Sequence, residues 1–357
     1  MLLSRRNFLA AGVALPVAAH LRPAKAATKI RYLLTSPVPD VGSATHSSVP
    51  KALGYWPNSG LDVEITPFTG ASAATQVVLS GRADFTMASP EPLLVAKQEG
   101  GSLRAVYNYT REPIFTIAVE KSSPIQKLED LKGKTIGLMN LSGGAFQFSK
   151  AMLSTVDIDP QKDIKWLPVG LGPQTANALQ TKKVDAIAYW DQAYASLENM
   201  GYEFRHFITP KMSSLLGFML IGNENFVNEN SDATIKMAQG IAKSVIFTRT
   251  NPEAAVRLHW EAFPASKPTN VTDAEAIAHS VHVLKSRLDK YRIEGRKTEK
   301  WGYFEKEDWT NTQSFFYDMG LLKKQIDVDL YYTNRFVEQI NQFDPEEIVD
   351  FARNFKQ

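Results

Sequence analysis

Cysteine is absent from all 357 residues. That excludes disulfides, a thiolate nucleophile and any zinc or iron–sulfur site built on thiolate ligands. Catalysis or metal binding would have to draw on oxygen and imidazole groups. An excess of charge of one sign is lacking too: 40 Lys and Arg stand against 38 Asp and Glu, a formal net charge of +2. A chain so balanced has no general attraction to polyanions, and nucleic acid is not an expected partner. No apolar run approaches the roughly 20 residues that a membrane-spanning helix needs. What is present is 44% hydrophobic and 22% charged residues. That is too apolar for disorder, and the length suits roughly two domains.

The first 26 residues read as an address rather than as part of the fold. Arg5-Arg6 stands just ahead of an apolar stretch, Phe8 to Ala19, and Ala24-Lys25-Ala26 offers small residues for cleavage after Ala26. The order of charge, apolar stretch and small residues resembles a twin-arginine export signal, which implies a periplasmic location in a bacterium. This segment holds four basic residues and no acidic one, so the mature chain carries 36 basic against 38 acidic side chains. A cysteine-free chain suits an oxidising compartment, because nothing can mispair.

From Thr28 to about Ile221, short β-rich runs alternate with stretches of helical spacing. Strands are predicted at Lys29–Leu34, Leu61–Thr66, Asp84–Ala88, Leu103–Tyr109, Phe115–Val119, Thr135–Met139, Ile164–Val169 and Ala186–Tyr189. Such alternation argues for α/β units with largely parallel sheets. After Asn223 the spacing is helical, at Phe226–Thr248, Asn251–Ala262, Asp273–Leu288, Lys306–Met319, Asp329–Asn341 and Pro345–Asn354. Helices with one apolar stripe each must pack against something. Lys121-Ser122-Ser123-Pro124 and Met212-Ser213-Ser214 look like connections, and the block between them reads as one lobe inserted into another.

Three phrases carry a family resemblance. Gly54-Tyr55-Trp56 with Gly60-Leu61-Asp62-Val63-Glu64-Ile65, then Ser80-Gly81-Arg82-Ala83-Asp84-Phe85, then Leu128-Glu129-Asp130-Leu131-Lys132-Gly133-Lys134-Thr135-Ile136-Gly137 follow in order. They resemble bacterial solute-binding proteins for sulfonates, nitrate, taurine and thiamine-pyrimidine precursors. The resemblance implies an α/β fold of periplasmic-binding-protein type II, with two lobes, a hinge and a helical C-terminal portion. Residues 27–119 and 220–357 would form the first lobe and residues 120–219 the second, with crossings near Val119–Ser123 and Gly217–Gly222. It also implies a monomer that captures a small molecule and presents it to the membrane permease and ATPase of an ABC importer. The phrases themselves read as turns and strand starts rather than ligand contacts.

Contacts are expected where strands end and helices begin, because in open α/β sheets the crevice beyond the strand C-termini receives the ligand. Thr69, Gly70 and Ser72 precede one helix, and Ser142, Gly143 and Gly144 precede another. The free amides of two such helix starts, facing each other, suit an oxyanion or carboxylate. Plain helix capping by Thr69 or Ser72 fits the same residues. Trp190 and Asp191 end a strand and suit a flat ligand with N–H donors, through stacking and hydrogen bonds. A core Trp followed by an Asp cap would look the same in the sequence. On that reading nitrate is disfavoured, because an exposed carboxylate repels an anion. Further lining candidates are Ser36 and Pro37, Ser89 and Pro90, and Thr45 and His46. The pyrimidine-binding relatives carry a His near the first helix start, where His46 stands.

Catalysis has no seed here. No Gly-x-Ser-x-Gly, His-Glu-x-x-His or dinucleotide fingerprint is present. Pyrimidine-synthase relatives carry a cysteine cluster near the start of the C-terminal portion, and the matching stretch Ser213–Leu220 has none. An enzyme or sensory module of the same fold is the rival reading. Glu275, His279 and His282 share a helix face at a spacing that a metal could use, but a solvated face is the commoner meaning. No cofactor and no metal are expected.

Overall fold

The structure, a computed structural model, describes residues 26–356 except 210, 211 and 213. The segment read from the sequence as an export signal lies outside the described residues but for Ala26. The described chain forms two five-stranded sheets. Strands β1 (Thr28–Leu33), β2 (Leu61–Thr66), β3 (Phe85–Ala88) and β4 (Leu103–Asn108) open the first sheet. Alternation is visible in β2, where Leu61 and Val63 are buried while Asp62 and Glu64 face water. Strands β5 (Phe115–Glu120), β6 (Thr135–Leu138), β7 (Lys165–Pro168), β8 (Ala186–Trp190) and β9 (Phe204–Phe207) make the second, in the order β7-β6-β8-β5-β9. Strand β10 (Met219–Asn223) then returns to the first, whose order is β2-β1-β3-β10-β4. Each sheet is parallel at one side, but β10 runs antiparallel to β3 and β4, and β5 antiparallel to β8 and β9.

The chain passes between sheets earlier than the breaker-rich Lys121–Pro124 segment implies. Phe115–Val119 pairs with β8 and β9, so the first passage falls between Asn108 and Phe115. The Ser-Ser-Pro sequence marks the end of β5, where Lys121 N–H still bonds the Glu203 carbonyl, and not a change of lobe. The return falls between Phe207 and Met219.

The family phrases do structural work. Gly60 and Gly133 sit at φ of 84° and 78° in the turns that feed β2 and β6, a region where a side chain is strained. Asp84 ties β1 to β3 by accepting from the Arg31 amide at 2.7 Å and from its guanidinium at 2.6 Å. Trp56 is fully buried and donates its indole N–H to the Met237 carbonyl at 3.0 Å.

Helices α1 (Ser48–Ala52), α2 (Ala71–Leu79) and α3 (Glu91–Gln98) belong to the first run of units, and α4 (Gly144–Ser154), α5 (Pro173–Gln180) and α6 (Asp191–Glu198) to the second. The expected helix at Phe226–Thr248 is two, α7 (Glu224–Glu229) and α8 (Ser231–Thr250), broken at Asn230 with φ −122° and ψ 49°. Helices α9 (Pro252–Ala262), α10 (Asp273–Leu288) and α11 (Lys306–Asp318) match their spacing. Asp329–Asn341 is not one helix. Tyr331 and Tyr332 stack on Trp309 at 5.4 and 5.5 Å, and this packing divides the stretch into a 3-10 turn at Val328–Leu330 and the short helix α12 (Val337–Ile340), before α13 (Pro345–Asn354). Helix α10 lies against α6, with Asn199 donating to the His279 carbonyl at 3.0 Å. Phe316 of α11 meets Phe148 of α4 edge-on at 5.2 Å. Helix α8 lies on β2 and β4 of the first sheet, so the C-terminal helices contact the first sheet and, through α4 and α6, the second unit.

Candidate ligand-binding site

One cavity lies between the two sheets, beyond the C-terminal ends of β1, β2, β6 and β8. Its first wall holds Ser36, Asp40, Gly42, His46, Gly70 and Ala71; the opposite wall holds Asn140, Gly143, Gly144, Trp190 and Gln192. Phe115, Phe218 and Arg287 line it as well. Both helix starts expected to face each other do line it. Gly70 and Gly143 are the N-cap residues of α2 and α4, and neither helix is capped by a side chain. Their first amides are open to a ligand.

The walls touch. A Cβ built on Gly70 would lie 2.8 Å from Ser142 Oγ, and one on Gly144 would lie 2.6 Å from Ser89 Oγ and 2.7 Å from the Phe115 ring. Gln192 donates across the cleft to the Gly42 carbonyl at 3.2 Å. Glycine at 144 is thus a condition of the two lobes meeting.

Of the sequence-based candidates, Ser36, His46, Gly70, Gly143, Gly144 and Trp190 line the cavity; Pro37, Thr69, Ser72, Ser89, Pro90, Ser142 and Asp191 do not. Pro37 and Thr69 are exposed, and Thr69 caps nothing. Ser89 is buried and donates to Glu91 Oε1 at 2.6 Å instead of capping α3, whose N-cap is Pro90. Ser142 bonds Asn140 Oδ1 at 3.0 Å. Thr45 is turned to the Tyr109 hydroxyl. Trp190 is half-buried, with its neighbour Tyr189 tilted against it at 5.8 Å.

Asp191 corrects the reading of a free carboxylate. Arg287 of α10 places its Nε 3.0 Å from both carboxylate oxygens and bonds a second time through Nη2, and Lys290 Nζ stands 3.2 Å from Oδ2. Burial alone would raise the Asp191 carboxyl, but Arg287 and Lys290 hold it below the usual carboxylate range. Asp191, the first residue of α6, also accepts from the Gln192 amide at 2.8 Å, while the N-cap position is Trp190. The repulsion expected against an anion such as nitrate is cancelled by this pairing.

Sequence reasoning missed Asp40, Gln192, Arg287, Phe115 and Phe218. Asp40 caps the single turn Val41–His46 through the Gly42 amide at 2.9 Å. Burial raises its carboxyl above the usual range, with Arg287 opposing. His46 accepts or donates through Nδ1 with the Tyr32 hydroxyl at 2.7 Å. Its imidazole is pushed down to about 3, first by burial and then by Arg287, and is neutral at pH 7. Two of the metal-spaced trio are otherwise engaged: Glu275 closes a capping box with Thr272, and His282 Nε2 meets Glu198 at 2.8 Å.

The geometry is that of two α/β lobes closing on a cleft, and known proteins share it. The alkanesulfonate-binding protein SsuA from Xanthomonas axonopodis pv. citri, solved with MOPS bound, superposes with a TM-score of 0.65 at 17% identity, covering 87% of this chain and 99% of that one. The chain has the two-lobed, type II-like fold of periplasmic binding proteins. It belongs to the NMT1/THI5 like family, whose pattern it matches over residues 45–255. Riboflavin-binding protein RibY of Chloroflexus aurantiacus is 25% identical over 329 residues, covering 91% of this chain and 90% of its own length. The 4-amino-5-hydroxymethyl-2-methylpyrimidine phosphate synthase THI11 of Saccharomyces cerevisiae is 24% identical over 230 residues, covering 60% of this chain and 65% of its own.

Proposed function

We propose that the chain is the exported solute-binding component of an ABC importer. It captures a small polar or heteroaromatic molecule, sulfonate-like or pyrimidine-like, between its lobes and delivers it to a membrane permease and its ATPase. Residues 1–26 direct export to the periplasm, the crossings before β5 and β10 form the hinge, and the mature protein acts as a monomer. The observation that carries the proposal is the shared cavity: uncapped helix starts at Gly70 and Gly143 belong to different sheets, and Trp190 offers an aromatic face beside them. A ligand touching both lobes binds the closed form better than the open one, and that difference drives closure. The same residues hold and release a ligand without breaking a bond in it. The names of RibY and SsuA support binding. The synthase relatives support an enzyme, but this chain lacks the cysteines expected of that branch.

Thermal unfolding of the mature protein with riboflavin, 4-amino-5-hydroxymethyl-2-methylpyrimidine and MOPS tests this. A ligand at 100 times its Kd should stabilise the fold by about 2.7 kcal/mol. It should be recovered with its mass unchanged. A converted molecule would mark an enzyme.

A further inference from the structure

We infer that Asp40 selects the ligand, by accepting a hydrogen bond from an N–H, in the ring or on an amino group attached to it, at the edge of a flat heteroaromatic molecule held in the same cavity as Trp190. This rests on the cleft being the ligand site.

Asp40 lines the cavity and is half-buried. Its Oδ1 accepts from the Gly42 amide at 2.9 Å, and among the described residues no side chain donates to it. Arg287 is near enough to act on Asp40 electrostatically, but its Nε and Nη2 are given to Asp191. An ionised carboxylate offers about four acceptor sites, and backbone amides alone leave some unused. The loop that carries it is fixed. His259, fully buried, donates Nε2–H to the Pro39 carbonyl at 3.2 Å and accepts at Nδ1 from Ser48 Oγ at 2.9 Å.

Lobe closure strips water from this carboxylate. A ligand that brings an N–H replaces the lost water; one without it leaves a charged acceptor unpaired. Sites of that kind discriminate strongly against analogues lacking the donor. His46 supplies the complement. The Tyr32 hydroxyl has its one proton to give and, among the described residues, no other acceptor, so it donates to Nδ1 and the imidazole proton sits on Nε2. That nitrogen has no protein partner among the described residues. The same wall thus offers an acceptor, Asp40, and a neutral donor, His46, at the two ends of the Val41–His46 turn. The pairing suits a flat ring system with an N–H toward one end and a carbonyl or bare ring nitrogen toward the other.

The test is calorimetric titration of the mature chain with two probe pairs. These are riboflavin against 3-methylriboflavin, and 4-amino-5-hydroxymethyl-2-methylpyrimidine against its dimethylamino analogue. MOPS, titrated at a basic pH where its morpholine nitrogen carries no proton, serves as the non-aromatic probe without an N–H. The parent should prefer the N–H member of one pair by at least roughly tenfold. In Asp40→Ser, which keeps a capping oxygen, and in Asp40→Asn, that preference should fall below about threefold. MOPS binding should not weaken. Unchanged preference in both variants overturns the role of Asp40 and leaves solute binding standing. A parent that binds both members equally, or MOPS alone, also overturns it. A parent that binds none of the five probes overturns this inference together with the reading beneath it.

Discussion

Removing Arg287 while keeping Asp191 exposes the energetics of the contact between α10 and α6. The two side chains are 4% and 11% exposed, and Arg287 makes three of the charge-assisted contacts that Asp191 receives. Arg287→Met leaves a buried carboxylate with Lys290 as its remaining cation at 3.2 Å. Breaking a buried pair on one side costs about 3–5 kcal/mol, because the orphaned charge keeps its desolvation penalty. Residual pairing to Lys290 puts the expectation at the low end, near 3 kcal/mol. Adding Asp191→Asn removes the orphan, and the double variant should recover most of that loss, so the two single losses should not add. Urea unfolding of the parent, both single variants and the double variant measures all four corners. If Arg287→Met unfolds at the parent's urea concentration, or if the two losses simply add, Asp191 is not held by Arg287. The reassignment from ligand contact to lobe contact then fails.

Two further outcomes follow from the site and its surroundings. Trp190→Ala should weaken ligand binding by about 2–4 kcal/mol, roughly 30-fold to 1,000-fold, as for a buried aromatic anchor; calorimetry checks it. Glu91 is 2% exposed, and burial pushes its carboxyl up to about 7, against the lowering influence of the Ser89 hydroxyl. A carboxyl that holds its proton more tightly when folded stabilises least at high pH. Its penalty is absent below about 4.5, grows as pH rises and is complete above about 7, amounting to about 3 kcal/mol. Glu91→Gln should therefore gain stability over the parent between pH 5 and pH 8 in urea titrations, and a constant difference across that range would contradict it.

The lobes and most helices were legible because their signals are local. Periods of two and 3.6, and glycines before strands, need no distant partner. The failures are long-range. Asp191 looks free until Arg287, 96 positions away, is folded against it. Arg287 itself reads as one more cation on a polar helix face. Asp40 sits in a Ser-Pro-Val-Pro-Asp stretch that resembles an ordinary turn, and only the fold turns it into a cavity wall. Strand β10 was missed because all five of its residues are buried, which removes the alternation that marks a strand. Asp329–Asn341 carries helical spacing, but stacking on Trp309 overrides it. Ser89-Pro90-Glu91 has the composition of a capped start, yet the Ser hydroxyl meets a buried carboxyl instead.

The central claim is that the ligand is held between lobes that must part to admit it, and a reversible cross-link tests it most directly. A Cβ at Gly70 lies 3.6 Å from Ser142 Cβ, within the roughly 3.5–4.5 Å that a disulfide spans, and the chain has no cysteine of its own; because Gly70 stands at φ 88°, where a side chain is strained, the reduced variant must first bind the probe as the parent does. In the Gly70→Cys, Ser142→Cys variant, oxidation after loading with the stabilising probe should trap it through desalting. Oxidation before loading should exclude it, and reduction should restore exchange in both cases. Probe exchange as fast in the oxidised protein as in the reduced one would contradict the account.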